Sequence, residues 1–282
     1  ERAWALSGLF VEKRELGGMG MLRAATLASG SVGNCAVVSD GRVHILIDAG
    51  ISTRRIAQGL KGLGLELRHI TGVLITHEHS DHVAALPVLC RQCGAALFTA
   101  EGTAFALCAR WPGLEERFRV FAPGQRFALG EWEIGTFATS HDCACPAGFS
   151  VEDGRRKLAL CTDTGFVTPQ ARAGVRGAHT LIGEFNYDPE MLRKGPYPRQ
   201  LQARIAGDAG HLSNELGGEL AAWAAGQGCT RVVLAHLSAE NNRPELAAEA
   251  AERALAGAGF EAGKDVEVVC APRGEATGWM EV

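Results

Sequence analysis

Thr76-His77-Glu78-His79-Ser80-Asp81-His82 follows directly on the apolar run Gly72-Val73-Leu74-Ile75, and its reading decides the fold. Three imidazoles and an aspartate within six consecutive residues are a metal-ligating pattern. Alternate residues of an extended segment point the same way. His77 and His79 can therefore grip one cation while the chain turns and presents Asp81 and His82 to a neighbouring one. A solvated loop ahead of a helix starting near Val83 would account for the polarity, but not for so dense a set of neutral-pH ligands.

Outward from this motif, other apolar runs also finish in a chemically capable residue. Val43 to Ile47 ends in Asp48, and Trp132 to Thr139 alternates like a half-buried strand and delivers Ser140-His141. Leu158 to Thr162 ends in Asp163, Leu181-Ile182-Gly183 in Glu184, and Arg231 to Ala235 in His236. One such residue is an ordinary turn former. Together with His77 they make six strand ends that imply a shared rim, and that rim is the expected active site. Asp48 is expected behind a ligand histidine, where it would fix the tautomer.

The remaining chain reads as strands alternating with helices, an α/β or α+β pattern. Leu22 to Leu27 is a first strand, and Asp40-Gly41 joins the strands Cys35 to Val38 and Val43 to Ile47 as a hairpin. Between them, the small residues Ala28-Ser29-Gly30-Ser31-Val32-Gly33-Asn34 demand a tight turn. Its amides, with Ser31 and Asn34, could line a phosphate pocket. Ser52 caps a covering helix through Ile56, Leu60 and Leu63. Val83 to Cys93 reads as a helix carrying Pro87 near its first turn.

With 282 residues, 46% of them hydrophobic, the chain can bury a full core, and no composition shift marks a linker. No apolar stretch reaches membrane-spanning length. The expectation is a soluble, cytoplasmic protein with no membrane partner. Nine cysteines in an ordinary globular composition read as reduced thiols. Cys90-x-x-Cys93 and Cys143-x-Cys145 resemble zinc half-sites, but nothing brings the two pairs together, so free thiols are expected. Residues 1–21 begin with Glu1 and contain Met19-Gly20-Met21, and are expected to be a non-native or disordered leader ahead of a single domain over 22–282.

The His77 to His82 run is the H-x-H-x-D-H signature, and by it the chain resembles the metallo-β-lactamase fold. The resemblance implies an α+β, four-layer αββα sandwich. It also implies His77, His79 and His141 at one site, Asp81, His82 and His236 at the other, and Asp163 shared. Imidazole with carboxylate suits two divalent ions, Zn²⁺ or Mn²⁺. Such a pair, about 3.5 to 4 Å apart, supplies a bridging hydroxide at neutral pH, so hydrolysis is expected. Di-iron members carry H-x-E-x-D, whereas His79 stands at the glutamate position here.

Gly210-His211-Leu212-Ser213-Asn214 and His236-Leu237-Ser238 resemble the paired histidine motifs of ribonuclease Z and related phosphodiesterases. By position, His211 with Glu184 would protonate the leaving oxygen, so Asp81, Glu184 and His211 are the expected catalytic residues. The run Ala28 to Asn34, Gly148-Phe149-Ser150, Asn186-Tyr187-Asp188, Tyr197-Pro198 and Asn241-Asn242 are similar to the YycJ/WalJ branch. That likeness covers Leu22 to about Leu255, with Tyr187 where many relatives carry histidine. It implies a 5′-end DNA exonuclease linked to repair. Only 21 residues lie between His141 and Asp163, too few for the tRNA-clamping arm of ribonuclease Z, and the interval to His236 cannot hold the extra domain of the β-CASP nucleases.

A net charge of −4, from 28 basic and 32 acidic residues, excludes a generally basic nucleic-acid binder. Contact with DNA falls instead to local groups. Arg193, Lys194, Arg199 and Arg204 could meet phosphates beside the metals, while Arg155-Arg156-Lys157 fits a turn. Arg193, Lys194 and Arg199, with Ser31, Asn34, Asn186, Ser238 and Asn241, make the expected substrate-binding set. Two other readings remain open: hydrolysis of small or cyclic-nucleotide phosphodiesters, and a metal-bound regulatory protein without catalysis.

Overall fold

A computed structural model describes residues 20–282. The expected leader thus falls almost wholly outside the described residues. The first sheet holds β1 (Arg23–Ala28), β2 (Cys35–Ser39), β3 (His44–Ile47), β4 (Gly72–Leu74), β5 (Ala96–Ala100) and β6 (Phe118–Phe121). The second holds β7 (Arg126–Leu129), β8 (Trp132–Ala138), β9 (Ala147–Glu152), β10 (Lys157–Cys161), β11 (Thr180–Glu184), β12 (Arg231–Ala235) and β13 (Glu267–Cys270). β14 (Met280–Glu281) returns to the first sheet beside β1. Each sheet runs sequentially from edge to edge, β14-β1-β2-β3-β4-β5-β6 and β13-β12-β11-β10-β9-β8-β7.

Direction places the site. β3 to β6 are parallel, as are β10 to β13, so their carboxyl ends share an edge within each sheet. β8 pairs antiparallel with β9 and β9 antiparallel with β10, so β8 runs the same way as β10. Loops after β3, β4, β8, β10, β11 and β12 therefore carry the six chemically capable residues to one rim.

Three apolar interiors separate four layers, the αββα sandwich expected. One lies under α1 (Thr53–Gly62), α2 (Ser80–Val83), α3 (Leu86–Gln92) and α4 (Glu101–Arg110), and includes Ile56, Leu60, Leu86 and Leu107. The second fills the space between the sheets, where Phe149 and Ile45 are fully buried. The third packs α5 (Pro169–Val175), α8 (Asn214–Ala225) and α9 (Pro244–Gly257) on the second sheet through Val175, Leu220 and Leu255. Each such aliphatic side chain contributes roughly 1.5–3 kcal/mol on burial. Two short helices, α6 (Pro189–Lys194) and α7 (Arg199–Ile205), lie between β11 and α8.

Caps follow the sequence. Ser52 accepts from the Arg55 amide at 3.4 Å, Asp188 from Met191 at 2.8 Å, and Ser213 from Leu216 at 3.3 Å. One expectation fails: Val83 to Cys93 is not one helix. It breaks at Ala84-Ala85 into α2 and α3, with Pro87 in the first turn of the second. Pro87 has no amide hydrogen and its ring clashes with the carbonyl four residues earlier, so the helix restarts. Among the described residues no helix is long and apolar enough to cross a membrane.

Candidate metal centre

Asp48, Asp163 and His236 each follow a strand, and all three adopt left-handed backbone conformations, with φ of 61°, 57° and 58°. That region is unfavourable for residues with a Cβ and is tolerated where a site over-determines it. Each bend turns a side chain inward from the strand end.

Around these bends the imidazoles of His77, His79, His82, His141 and His236 crowd together, neighbouring ring centres lying 4.1 to 5.7 Å apart. His77, His79 and His141 offer three ligand atoms within 4.8 Å of one another, as do Asp81, His82 and His236. Asp163 lies between the groups, 3.5 Å from His82 Nε2 and 3.8 Å from His141 Nε2.

Four of the five rings are held from behind through Nδ1, which leaves Nε2 toward the centre. His82 Nδ1 donates to Asp48 Oδ2 at 2.8 Å. Thr76 Oγ1 donates to the same carboxylate and accepts from His77 Nδ1 at 3.0 Å, so Asp48 aligns two rings. The Gly210 carbonyl accepts from His141 Nδ1 at 3.0 Å, and Glu184 Oε1 from His236 Nδ1 at 2.9 Å. Such partners fix the tautomer and raise ligand basicity. His77 Nε2, His236 Nε2 and Asp163 Oδ2 are buried without a hydrogen-bond partner. Orphaned buried acceptors are costly, and three converging on one place fit a cation. The donor set of nitrogen and carboxylate oxygen suits a divalent ion.

The electrostatics divide the cluster. Burial, reinforced by the His82 imidazole, holds His77 well below the ordinary histidine range, and burial also lowers His141. On the other side burial is overcome. Asp163, the nearby Asp81 carboxylate and the bond to Glu184 push His236 up to about 10, and Asp163 with Asp48 raises His82 well above its usual value. Against its own burial, Asp81 is held well below the carboxylate range by His236 and His82.

Glu184 is fully buried and lies on two histidines at once. Oε1 accepts from His211 Nδ1 at 2.8 Å as well as from His236, and Oε2 accepts from the Thr164 and Leu212 amides at 3.0 and 3.2 Å. Burial works against its charge, but His211 and His236 keep its carboxyl below the usual range. His211 lines an open cavity of about 250 Å³ together with His79, Asp81, Asp163 and His236.

The expected substrate-binding residues divide. Ser31, Asn186 and Ser238 line the cavity. Asn34 does not: its side chain accepts from Gly30 N and its amide lies 3.2 Å from His82 Nε2. The amides of Gly33 and Asn34 bond to Gly30 O and Asp81 O, so these groups are not free for a phosphate. Asn241 is buried against Ser238, away from the cavity lining. Arg193 and Lys194 face Glu190, 3.9 and 2.5 Å away, and with Arg199 they too miss the lining. Of that basic cluster, Arg204 reaches the cavity, pairing with Asp142 at 2.5 Å. Arg155 and Arg156 donate their amides to Asp153 in the β9–β10 turn, at the end of β10 opposite Asp163.

Thr76, the Gly210 carbonyl and the residues Tyr197, Leu201 and Ile205 in the lining escape the sequence reading. Of these, the last three carry a signal, a spacing of four. All nine cysteines are free, and no cysteine joins a ligand cluster among the described residues.

A model of the beta-lactamase superfamily domain matches residues 44–237. An exodeoxyribonuclease YycJ of Bacillus anthracis is 36% identical over 250 residues, 88% of this chain and 94% of that one. This chain belongs to the metallo-β-lactamase superfamily, in its YycJ/WalJ branch. Exodeoxyribonuclease WalJ of Streptococcus pneumoniae is 34% identical over 252 residues, covering 86% of this chain and 91% of its own. Among solved structures, the metallo-β-lactamase fold protein YhfI of Bacillus subtilis superposes with a TM-score of 0.69 at 15% identity, over 91% of this chain and 98% of that one. Zn²⁺-bound PqqB of Methylobacterium extorquens gives 0.67 at 21%, over 90% and 99%. The chain is thus an enzyme of a metal-dependent hydrolase superfamily.

Proposed function

We propose that this chain is a dinuclear metal-dependent phosphodiesterase that degrades DNA from a 5′ end. The observation that carries the reading is His211 held by buried Glu184 at the edge of the ligand cluster, facing the cavity. The two curated relatives named exodeoxyribonuclease support DNA as the substrate.

His77, His79 and His141 would hold one cation and Asp81, His82 and His236 the other, with Asp163 between them. Zn²⁺ or Mn²⁺ in these places would lower the pKa of a coordinated water and neutralise charge on the phosphodiester. The chain's own residues do the rest. With Nδ1 engaged by Glu184, His211 carries a proton on Nε2 toward the cavity and delivers it to the leaving oxygen. Glu184 keeps that imidazole oriented. Asp81 has its side chain 23% exposed beside the cavity. Paired with His82 and His236, it would orient the attacking water. Asp163→Ala should abolish metal loading and activity together.

A second reading is hydrolysis of small or cyclic phosphodiesters, favoured by the charges: Arg193, Lys194 and Arg199 lie outside the cavity lining. A silent regulatory role is disfavoured by the retained His211–Glu184 pair. We place the protein in the cytoplasm, where its nine free thiols stay reduced.

The test restores metal-stripped protein with Mn²⁺ or Zn²⁺ and supplies duplex DNA labelled at the 5′ or the 3′ end, with bis-(p-nitrophenyl) phosphate alongside. Early release of the 5′ label in short products supports the reading. Cleavage of the nitrophenyl ester alone would move the substrate to small phosphodiesters.

A further inference from the structure

Tyr197, Leu201 and Ile205 stand at intervals of four, the last two on one face of α7, and all three line the cavity above His211. The opposite wall carries imidazoles and carboxylates. None of the three belongs to any of the hydrophobic cores of the described residues, and α7 has no buried residue. All three are half-buried, so each keeps part of its surface toward the cavity. That part is presented to whatever enters the cavity.

The wall is also held in place. Gln202 Nε2 donates to the Tyr197 carbonyl at 2.9 Å, and Arg204 ties α7 to Asp142, the neighbour of His141. Ahead of the wall, Gly195 packs so closely that a Cβ there would meet Asn241 Oδ1 at 2.8 Å. Asn241, expected to touch substrate, lies against this glycine and off the cavity lining.

Resting on the phosphodiesterase reading above, we propose that Tyr197, Leu201 and Ile205 form a nucleoside wall. They would pack the base and sugar next to the scissile phosphate while the polar side holds the phosphate itself. A phosphodiester without a flat or apolar substituent leaves this wall wet. A nucleoside covers it, with the base stacked on Tyr197. Leu201 and Ile205 present no donor or acceptor to a base edge, so the wall accepts all four bases and confers no sequence preference.

The experiment compares thymidine 5′-(p-nitrophenyl phosphate) with methyl p-nitrophenyl phosphate. These share the phosphodiester and the leaving group and differ by the nucleoside. The metal-loaded wild type should prefer the nucleoside ester by roughly tenfold or more in kcat/KM, mainly through KM. In Tyr197→Ala and Leu201→Ala that ratio should collapse toward one, and Tyr197→Phe should retain it. An absent preference in the wild type, or one kept in both alanine variants, overturns the wall.

Calorimetric titration of the same proteins with thymidine 5′-monophosphate and with inorganic phosphate decides the matter without turnover. Tighter binding of the nucleotide, lost in Leu201→Ala, supports the wall, and equal affinities overturn it. If neither ester is hydrolysed the phosphodiesterase reading fails, and the titration still judges the wall separately.

Discussion

At the scale of single residues, Glu184 does more than the sequence implies. Its position suggests a partner for His211, yet one oxygen serves His211 and His236 together. Glu184→Gln leaves one accepting oxygen where four donors converge, so either the two rings or the Thr164 and Leu212 amides lose their acceptor, and the negative charge that both rings face is gone. We expect activity to fall about 10- to 100-fold, with metal affinity weakened as well. His211→Ala should behave differently, keeping its metals and losing rate least on p-nitrophenyl esters, whose leaving group needs no proton. Metal analysis together with rates on poor and good leaving groups separates the two variants, and equal losses on both ester types would remove the acid role from His211. The protonation of the metal-free cluster gives a further expectation. His236 has a folded-state value raised to about 10, so its ion pairs stabilise fully below its unfolded value of about 6.5 and are lost as pH rises through 10. Thermal melting of metal-stripped protein should therefore decline over that range. The clustering of His77, His79, Asp81, His82, His141, Asp163 and His236 is legible because histidine and aspartate are rare beside apolar runs and here follow closely on strand ends. Asn34 lies beside His82 and off the cavity lining, a placement that a polar side chain in a tight turn does not announce from sequence.

At the scale of elements, the strands and most helices are legible because period-two and period-four patterns are strong and the caps are ordinary. The break at Ala84-Ala85 was within reach of the sequence, since Pro87 forbids a continuous helix through that turn. The α6–α7 segment was misread for a physical reason. Its arginines and lysine dominate by charge, while its contribution to the cavity lining is Arg204 and three half-buried residues, Tyr197, Leu201 and Ile205, of a kind that any covering helix carries. Close packing between loops is likewise invisible before folding. Gly50 sits where an added Cβ would stand 1.6 Å from the Asp81 carbonyl oxygen. Gly50→Ala should thus push the Asp81 turn outward, destabilise the fold by about 3 kcal/mol or more, and weaken metal loading. Urea denaturation and metal content measure both, and a variant that keeps both would show that the loop yields freely.

At the scale of the whole molecule, the rim joins the two sheets. His77, His79, Asp81 and His82 follow strand β4 of the first, whereas His141, Asp163 and His236 follow strands of the second. Cations shared between the halves would act as cross-links. Chelation should therefore lower the melting temperature by roughly 10 °C if binding contributes about 4 kcal/mol, and Asp163→Ala should erase the shift. An unchanged melting curve would mean that the sheets need no such link. Fold class was legible at this scale from alternation and the motif. The assembly of the cavity was not, because its two walls come from segments more than a hundred residues apart, His79 and Leu201 among them.

The left-handed bends at Asp48, Asp163 and His236 bear on descent as well as on geometry. Glycine would sit in each bend without the penalty of about 1 kcal/mol that a Cβ brings. Drift relieves such tension wherever nothing resists it. A copy of this gene released from chemistry would be expected to acquire glycine or asparagine at these three places before its cores changed, so the residues found there serve as a register of whether a descendant still works.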